Sequence, residues 1–374
     1  MARMGQLKYR ALAQELQRGI RDGVWPPGSQ LPTEAGLATS HAVSVNTVRR
    51  AMEVLAAEGW VERRQGAGTF VRAVPGAAHG RRWRIAAVLP ERQWYFPPLL
   101  EGIEAAAARG RVALQVHCTG YGARGWQRLE DLLARLEGVD GLVLSHPSGS
   151  GPALADRARW LRELTLPYVL LERAPVDPGD PSEHVSTDRV AGVFIALEHL
   201  AALGHQRVGL VCRPGAPPSA QIVRGFAKGA AELGLDAVAV VEIEHQRRFG
   251  TGHMPTLAPL GERALRVLRA AGATAAVCFG DNEATMVIEA ARRAGLAIPG
   301  GLSVIACEDW RAVTGSVALT SVVPEKFRLG RLAVEALLRR LAEPDAEVQQ
   351  VWVRPRLAVR ASTAAAGEGA AGPS

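Results

Sequence analysis

Val43-Ser-Val-Asn-Thr-Val-Arg49, followed closely by Glu58-Gly-Trp-Val-Glu-Arg-Arg-Gln-Gly-Ala-Gly-Thr-Phe-Val71, decides how the first part of this chain folds. Ser44 stands at the head of a periodic apolar run, where a side-chain oxygen satisfies an unpaired N–H of a first helical turn. From there Val45, Val48, Met52 and Leu55 recur at core spacing in a helix expected to reach Glu58, while Asn46, Arg49 and Arg50 point elsewhere. Trp60 to Arg64 and Thr69 to Arg72 then read as two short strands around Gln65-Gly66-Ala67-Gly68, a hairpin whose glycines permit close approach of its backbone.

Working back towards the amino terminus, Leu12, Leu16 and Ile20 mark an amphipathic helix over 9–22 that Gly23 ends. Pro26, Pro27 and Gly28 make a stiff connection, and Thr33 is placed to cap a short helix through about Ser40. The result is helix, tight turn, helix, hairpin. A helix that packs on one side and is polar on the other suits a nucleic-acid duplex. Asn and Arg engage adenine and guanine edges and phosphates, and Ser44 and Thr47 add short hydroxyls. A merely solvated helix face would carry the same residues, but the hairpin with Arg63 and Arg64 beside its tip favours the duplex. Charge agrees: residues 1–82 hold 12 Lys and Arg against 6 Asp and Glu, leaving 32 against 31 for the rest. A local positive excess is what attraction to phosphates requires, although a solvated basic surface would share it.

These stretches, with Gly28-Ser-Gln-Leu-Pro-Thr-Glu34, resemble the GntR family of winged-helix repressors, in order and correctly spaced. The resemblance implies a small α+β winged helix-turn-helix over 1–72 that binds a double-stranded, palindromic DNA operator. Its contacts would come from Thr33, Ser44, Asn46, Thr47, Arg49, Arg50, Arg64 and Gln65, with Gly66 at the wing tip in the minor groove. Where the family commonly has Arg, this chain has Ala35 on the second helix and Val45 at the start of the third, so its operator is expected to differ from the usual family site.

Residues 73–82 lack periodicity and read as a linker. Beyond them, apolar runs at 85–89, 112–118, 139–144, 168–171, 208–212, 238–243, 275–279 and 304–307 alternate with helical stretches. Strands apolar throughout and separated by helices imply parallel sheets covered on both faces, here two of them. Ligands of such sheets bind beyond the carboxyl ends of the strands. Trp94, Phe96, His146, Asp281, Glu308 and Asp309 stand in those loops, carboxylates and rings suited to the hydroxyls and C–H faces of a polyhydroxylated ligand. Taken singly, each reads slightly better as an ordinary cap or core aromatic.

Val185-Ser-Thr-Asp188, His199-Leu-Ala-Ala-Leu-Gly-His205, Phe279-Gly-Asp-Asn-Glu283 and Arg356-Leu-Ala-Val-Arg-Ala-Ser-Thr363 resemble the sensor domain shared by lac-repressor-type regulators and periplasmic sugar-binding proteins. The resemblance implies a bilobal α/β type I periplasmic-binding-protein-like domain over 83–363. It would have three chain crossings, a small-molecule effector in the cleft and a homodimer, with no cofactor. By position, Asp188 and Asp281 fall where the family holds its effector. Ile222 stands where the family has an effector-binding Arg, and Glu308, followed by Asp309, stands for a usual Asp. Losing a bidentate guanidinium removes a strong clamp.

Other classes fit less well. Gly120-Tyr-Gly-Ala-Arg-Gly125 matches a dinucleotide fingerprint, but the next strand ends in Ser145-His146 rather than in the acidic residue the ribose needs. No nucleophile elbow, zinc-protease helix or phosphate-loop lysine motif occurs, which argues against an enzyme. Cys118, Cys212, Cys278 and Cys307 are scattered in apolar runs and read as reduced core residues, without metal-ligand spacing. No run approaches the roughly 20 apolar residues of a membrane span, and a cytoplasmic location is expected. Residues 364–374 are small and of low complexity and are expected to be disordered.

Overall fold

Capping chemistry sets the start of two of the first three helices. In a computed structural model of the chain, which describes all residues except 1, 22–23, 58, 65–66, 73–82, 148–151, 176, 178, 245–257, 311–315 and 368–374, the first unit comprises α1 (Ala2–Arg21), α2 (Glu34–Ser40), α3 (Val45–Ala57), β1 (Val61–Arg64) and β2 (Gly68–Val71). Thr33 Oγ1 accepts from the Gly36 N–H at 3.1 Å, and Ser44 Oγ from the Thr47 N–H at 3.2 Å. Leu12, Leu16 and Ile20 of α1 share one core with Leu37 of α2 and Val48, Met52 and Leu55 of α3. Val45 departs from its expected core role. It is 41% exposed, and Ala51 takes the fourth inward position, because the apolar stripe runs one turn beyond what the neighbouring helices cover.

The hairpin is antiparallel, with Val61 opposite Val71 and Arg64 opposite Gly68. Gln30 bridges to Phe70, and the Leu31 N–H donates to Thr69 O at 2.9 Å, so the chain entering α2 holds the hairpin's second strand. The wing-tip residues Gln65 and Gly66 and the expected linker 73–82 lie outside the described residues.

The larger unit has two lobes. Its chain runs β3 (Arg84–Leu89), α4 (Pro97–Arg109), β4 (Ala113–Cys118), α5 (Gly122–Arg135), β5 (Gly141–Leu144), α6 (Pro152–Arg162), β6 (Tyr168–Leu171) and β7 (His184–Thr187). It continues through α7 (Arg189–Ala202), β8 (Arg207–Cys212), α8 (Ser219–Glu232), β9 (Asp236–Glu242), α9 (Ala258–Ala270), β10 (Ala275–Cys278), α10 (Asp281–Arg293), β11 (Ser303–Ala306) and β12 (Thr320–Val323). It closes with α11 (Lys326–Ala342), β13 (Gln350–Val353) and β14 (Arg356–Ala358). One six-stranded sheet has the order β13-β7-β6-β5-β3-β4, the other β14-β12-β11-β10-β8-β9, and every pairing except β12 with β14 is parallel. The chain therefore passes between lobes three times, after β7, after β12 and between β13 and β14.

Central strands such as β5, β10 and β11 are buried at every position, the consequence of helices on both faces. Edge strand β4 is only half covered, and Cys118 at its end is exposed, unlike the buried Cys212, Cys278 and Cys307. In the first lobe α4 and α11 touch backbone to backbone: a Cβ at Gly330 would lie 2.0 Å from Leu99 O, and one at Gly102 2.0 Å from Phe327 O. The disorder expected from Ala364 does not hold for 364–367. Ala364 O accepts from His205 Nε2 at 3.1 Å, and the Ala366 N–H donates to Leu203 O at 2.8 Å, fastening the end of the chain to the second lobe.

Candidate functional site

On the first unit, α3 turns its polar side outward. Ser44, Asn46, Arg49 and Arg50 are exposed and Thr47 half-buried, with exposed Val45 among them. Glu34, at the start of α2, accepts from Arg49 Nε at 3.3 Å and from Arg63 Nη2 at 3.1 Å, linking the helix to the wing while Arg49 stays 54% exposed. Exposed pairs of this kind add little stability, so their consequence is orientation. Arg64 lies 4.5 Å over the Phe70 ring and pairs with Glu62, and exposed Arg50 lies 5.9 Å from the Tyr9 ring centroid. Thr33 spends its hydroxyl on the cap of α2. An uncovered polar helix beside a basic hairpin is an arrangement that enters a major groove with the wing at the flank.

In the larger unit, the parallel strands bring their carboxyl ends to a cavity of about 710 Å³ between the lobes. Tyr95, Phe96, Tyr121, Glu172 and Arg173 line it from the first lobe, and Arg213, Phe279 and Glu308 from the second. Arg189, at the first crossing, ties the walls together. It donates to Glu172 Oε2 at 2.9 Å, to Tyr95 OH at 2.8 Å and, from Nη1, to Cys307 O at 3.1 Å. Glu172 also accepts from the N–H and the hydroxyl of Thr187. Burial alone would raise the Glu172 carboxyl, but Arg189 and Thr187 hold it below its usual range. Burial works against the Arg189 charge in the same way, and the surrounding Tyr95, Glu172 and Glu308 carry it above its ordinary value. Burial pushes the Tyr95 hydroxyl up, and Lys326 at the second crossing sits 4.4 Å over its ring.

Of the residues expected at an effector site, Phe96 and Glu308 line this cavity. Trp94 meets Trp310 edge to face at 4.9 Å, one ring from each lobe. His146 stacks near Trp126 at 5.0 Å and, through its carbonyl, accepts from Arg173 Nε at 2.8 Å. Burial, with Arg173 nearby, lowers its imidazole to about 3. Asp188 caps α7 by accepting from the Ala191 N–H at 2.8 Å. Asp281 is fully buried at the start of α10 and accepts from the Trp310 N–H at 2.8 Å. Two expectations need correction. Asp309 spends both carboxylate oxygens on Arg360, at 2.8 and 3.2 Å, and Ile222 is 1% exposed in the core of the second lobe; neither is among the residues lining the cavity. The guanidiniums of the cavity are instead Arg173, Arg189 and Arg213, none of which stood out in the sequence. The one available signal was position, since each follows the last residue of a strand by one or two places.

A DNA-binding winged head followed by a two-lobed ligand-binding unit defines a ligand-responsive transcription regulator. Residues 8–71 match the family described as bacterial regulatory proteins, gntR family, and residues 197–363 the periplasmic binding protein-like domain. The chain is 27% identical to the arabinose metabolism transcriptional repressor of Geobacillus stearothermophilus, over 95% of this chain and 97% of that one. It is 33% identical to an uncharacterized HTH-type transcriptional regulator of Streptomyces limosus, over 72% of this chain and 75% of that one. The crystal structure of the lac repressor dimer bound to operator and the anti-inducer ONPF shares the fold, with a TM-score of 0.62 at 20% identity, covering 77% of this chain and 96% of that one. The chain belongs to the HTH-type bacterial transcriptional regulators, with a GntR-type head and a periplasmic-binding-protein-like sensor. These are regulators and not enzymes, and among the described residues no helix is long and apolar enough to cross a membrane.

Proposed function

We propose that residues 1–72 form the operator-reading head, 73–82 the linker and 83–363 the sensor of a homodimeric repressor whose DNA affinity is set by a carbohydrate or related polar metabolite bound between the lobes. The observation that carries this reading is the cavity itself, which draws rings and hydrogen-bonding groups from both lobes, so that a ligand touching both would bind open and closed arrangements unequally. Two heads would place their α3 helices in successive major grooves of a palindromic site, with Ser44, Asn46, Thr47, Arg49 and Arg50 towards the bases and phosphates and Arg64, Gln65 and Gly66 at the flank. The arabinose link of the Geobacillus relative supports a sugar-like effector. Exposed Asn46 and Arg49 on the uncovered side of α3 support the DNA contact.

The test is a gel shift with the full chain on the DNA upstream of its own gene, with and without candidate ligands. Arg49→Ala should weaken binding by about 5- to 150-fold, as loss of one good contact of about 1–3 kcal/mol does. Unchanged affinity at moderate salt would remove α3 as the reading helix.

A further inference from the structure

Two guanidiniums face the interlobe cavity without a hydrogen-bonded carboxylate among the described residues. Arg173, just after β6, is 8% exposed, and its hydrogen bonds go to backbone oxygens, from Nε to His146 O and from Nη1 to Glu172 O, each at 2.8 Å. Arg213, just after β8, lies 4.4 Å over the Phe279 ring. Its Nε is buried without a hydrogen-bond partner, and the nearest carboxylate oxygen, on Glu283, is 3.8 Å away. The other carboxylates of the walls have work elsewhere: Glu172 holds Arg189 and Thr187, Glu308 accepts from Trp310 Nε1 at 3.1 Å, and Glu244 is exposed.

Helix ends add to this. Gly122 begins α5 and Pro218 immediately precedes α8; both line the cavity, and neither helix has a side-chain cap at its start. The N–H groups of a first helical turn carry partial positive charge. A buried guanidinium without a carboxylate at hydrogen-bond distance is costly, and a ligand that brings an anionic oxygen that close lowers the cost.

We infer that the effector is an anion, a sugar-like metabolite carrying a carboxylate or phosphate that Arg173 of one lobe and Arg213 of the other grip together. The inference rests on the interlobe reading proposed above and narrows it. A neutral polyol would give neither guanidinium a hydrogen-bonded anionic oxygen, whereas an anionic group between them draws the lobes together and couples charge recognition to closure. Burial draws the Arg173 guanidinium below its usual range, against the opposite pull of Tyr121 and Glu172.

The experiment is calorimetry on the full chain with matched pairs: glucose with gluconate, glucose with glucose 6-phosphate, galactose with galacturonate, and inorganic phosphate alone. At least one anionic member should bind ten times or more tightly than its neutral parent, and the preferred pair shows whether carboxylate or phosphate is the source. In Arg213→Gln that preference should fall below twofold while the melting temperature holds. Arg173→Met, at the more buried site, is the companion variant. A panel in which no anionic compound binds more tightly than its parent overturns the inference. If a neutral sugar then binds and Ala216→Trp, which fills the cavity, abolishes that binding, the interlobe site stands without the anion. If binding survives Ala216→Trp, the interlobe site falls as well.

Discussion

The ion pair between Glu172 and Arg189 offers the sharpest energetic test of how the lobes are held. Their side chains are 6% and 7% exposed, and the charges meet at 2.9 Å. Glu172→Met leaves the Arg189 guanidinium buried without its partner, and Arg189→Met does the same to the carboxylate, so each single change should cost about 3–5 kcal/mol. Replacing both removes the two desolvated charges together. What remains is the unsatisfied Thr187 N–H and hydroxyl, Tyr95 OH and Cys307 O, and a loss of about 1–3 kcal/mol, because part of that set regains water from the cavity. The double variant should therefore be more stable than either single one. Urea unfolding at pH 7, without ligand and followed by tryptophan fluorescence, reads this as a shift in midpoint at constant slope. Losses that add to within about 0.5 kcal/mol would refute the argument, since independent sites behave that way and a coupled pair does not.

Other expectations follow from single contacts. Gly330→Ala places a methyl 2.0 Å from a backbone oxygen that cannot rotate away, so α4 and α11 must separate; a loss of about 1–3 kcal/mol or more should appear as a lower melting temperature, and an unchanged one would show that the helices slide freely. Val45, exposed beside Asn46, is placed to meet a thymine methyl. Replacing thymine with deoxyuracil along the operator should weaken wild-type binding severalfold at one position per half-site and leave Val45→Ala unaffected there, and equal sensitivity of both proteins would dismiss that contact. His146, held near 3 against about 6.5 in an unfolded chain, stays neutral in the fold. The unfolded state then binds the extra proton, so stability is intact above about pH 6.5 and falls by up to about 1.4 kcal/mol per pH unit below it, from this residue, as pH moves towards the folded value. His146→Gln should flatten that slope, and a ring resonance titrating near pH 6 would contradict the shift.

Much of this was legible before any coordinates. Short-range chemistry writes itself into sequence: Thr33 and Ser44 cap helices because a hydroxyl at that offset satisfies the first turn wherever it occurs. The eight apolar runs became strands of two parallel sheets, and central ones such as β5, β10 and β11 are apolar throughout because both of their faces are buried. Strands β7 and β12 do not stand out as runs, since Ser186, Thr187, Thr320 and Ser321 interrupt their apolar character and hydrogen bonds across the fold make up for it; β13 and β14 are short and carry polar Gln350 and Arg356.

The cavity was less legible for a related reason. Asp309 and Ile222 were expected at the effector site from the sequence, yet here they serve Arg360 and the core. Arg173, Arg189 and Arg213 looked like ordinary charged residues at strand ends and helix starts. The sequence by itself determined the recognition helix, the wing and the two-sheet sensor, because caps, turns and burial patterns act over a few residues. Which side chains confront one another across the lobes was decided only by tertiary structure, because a guanidinium's partner, whether carboxylate, carbonyl or empty cavity, depends on segments far apart in the chain meeting in space.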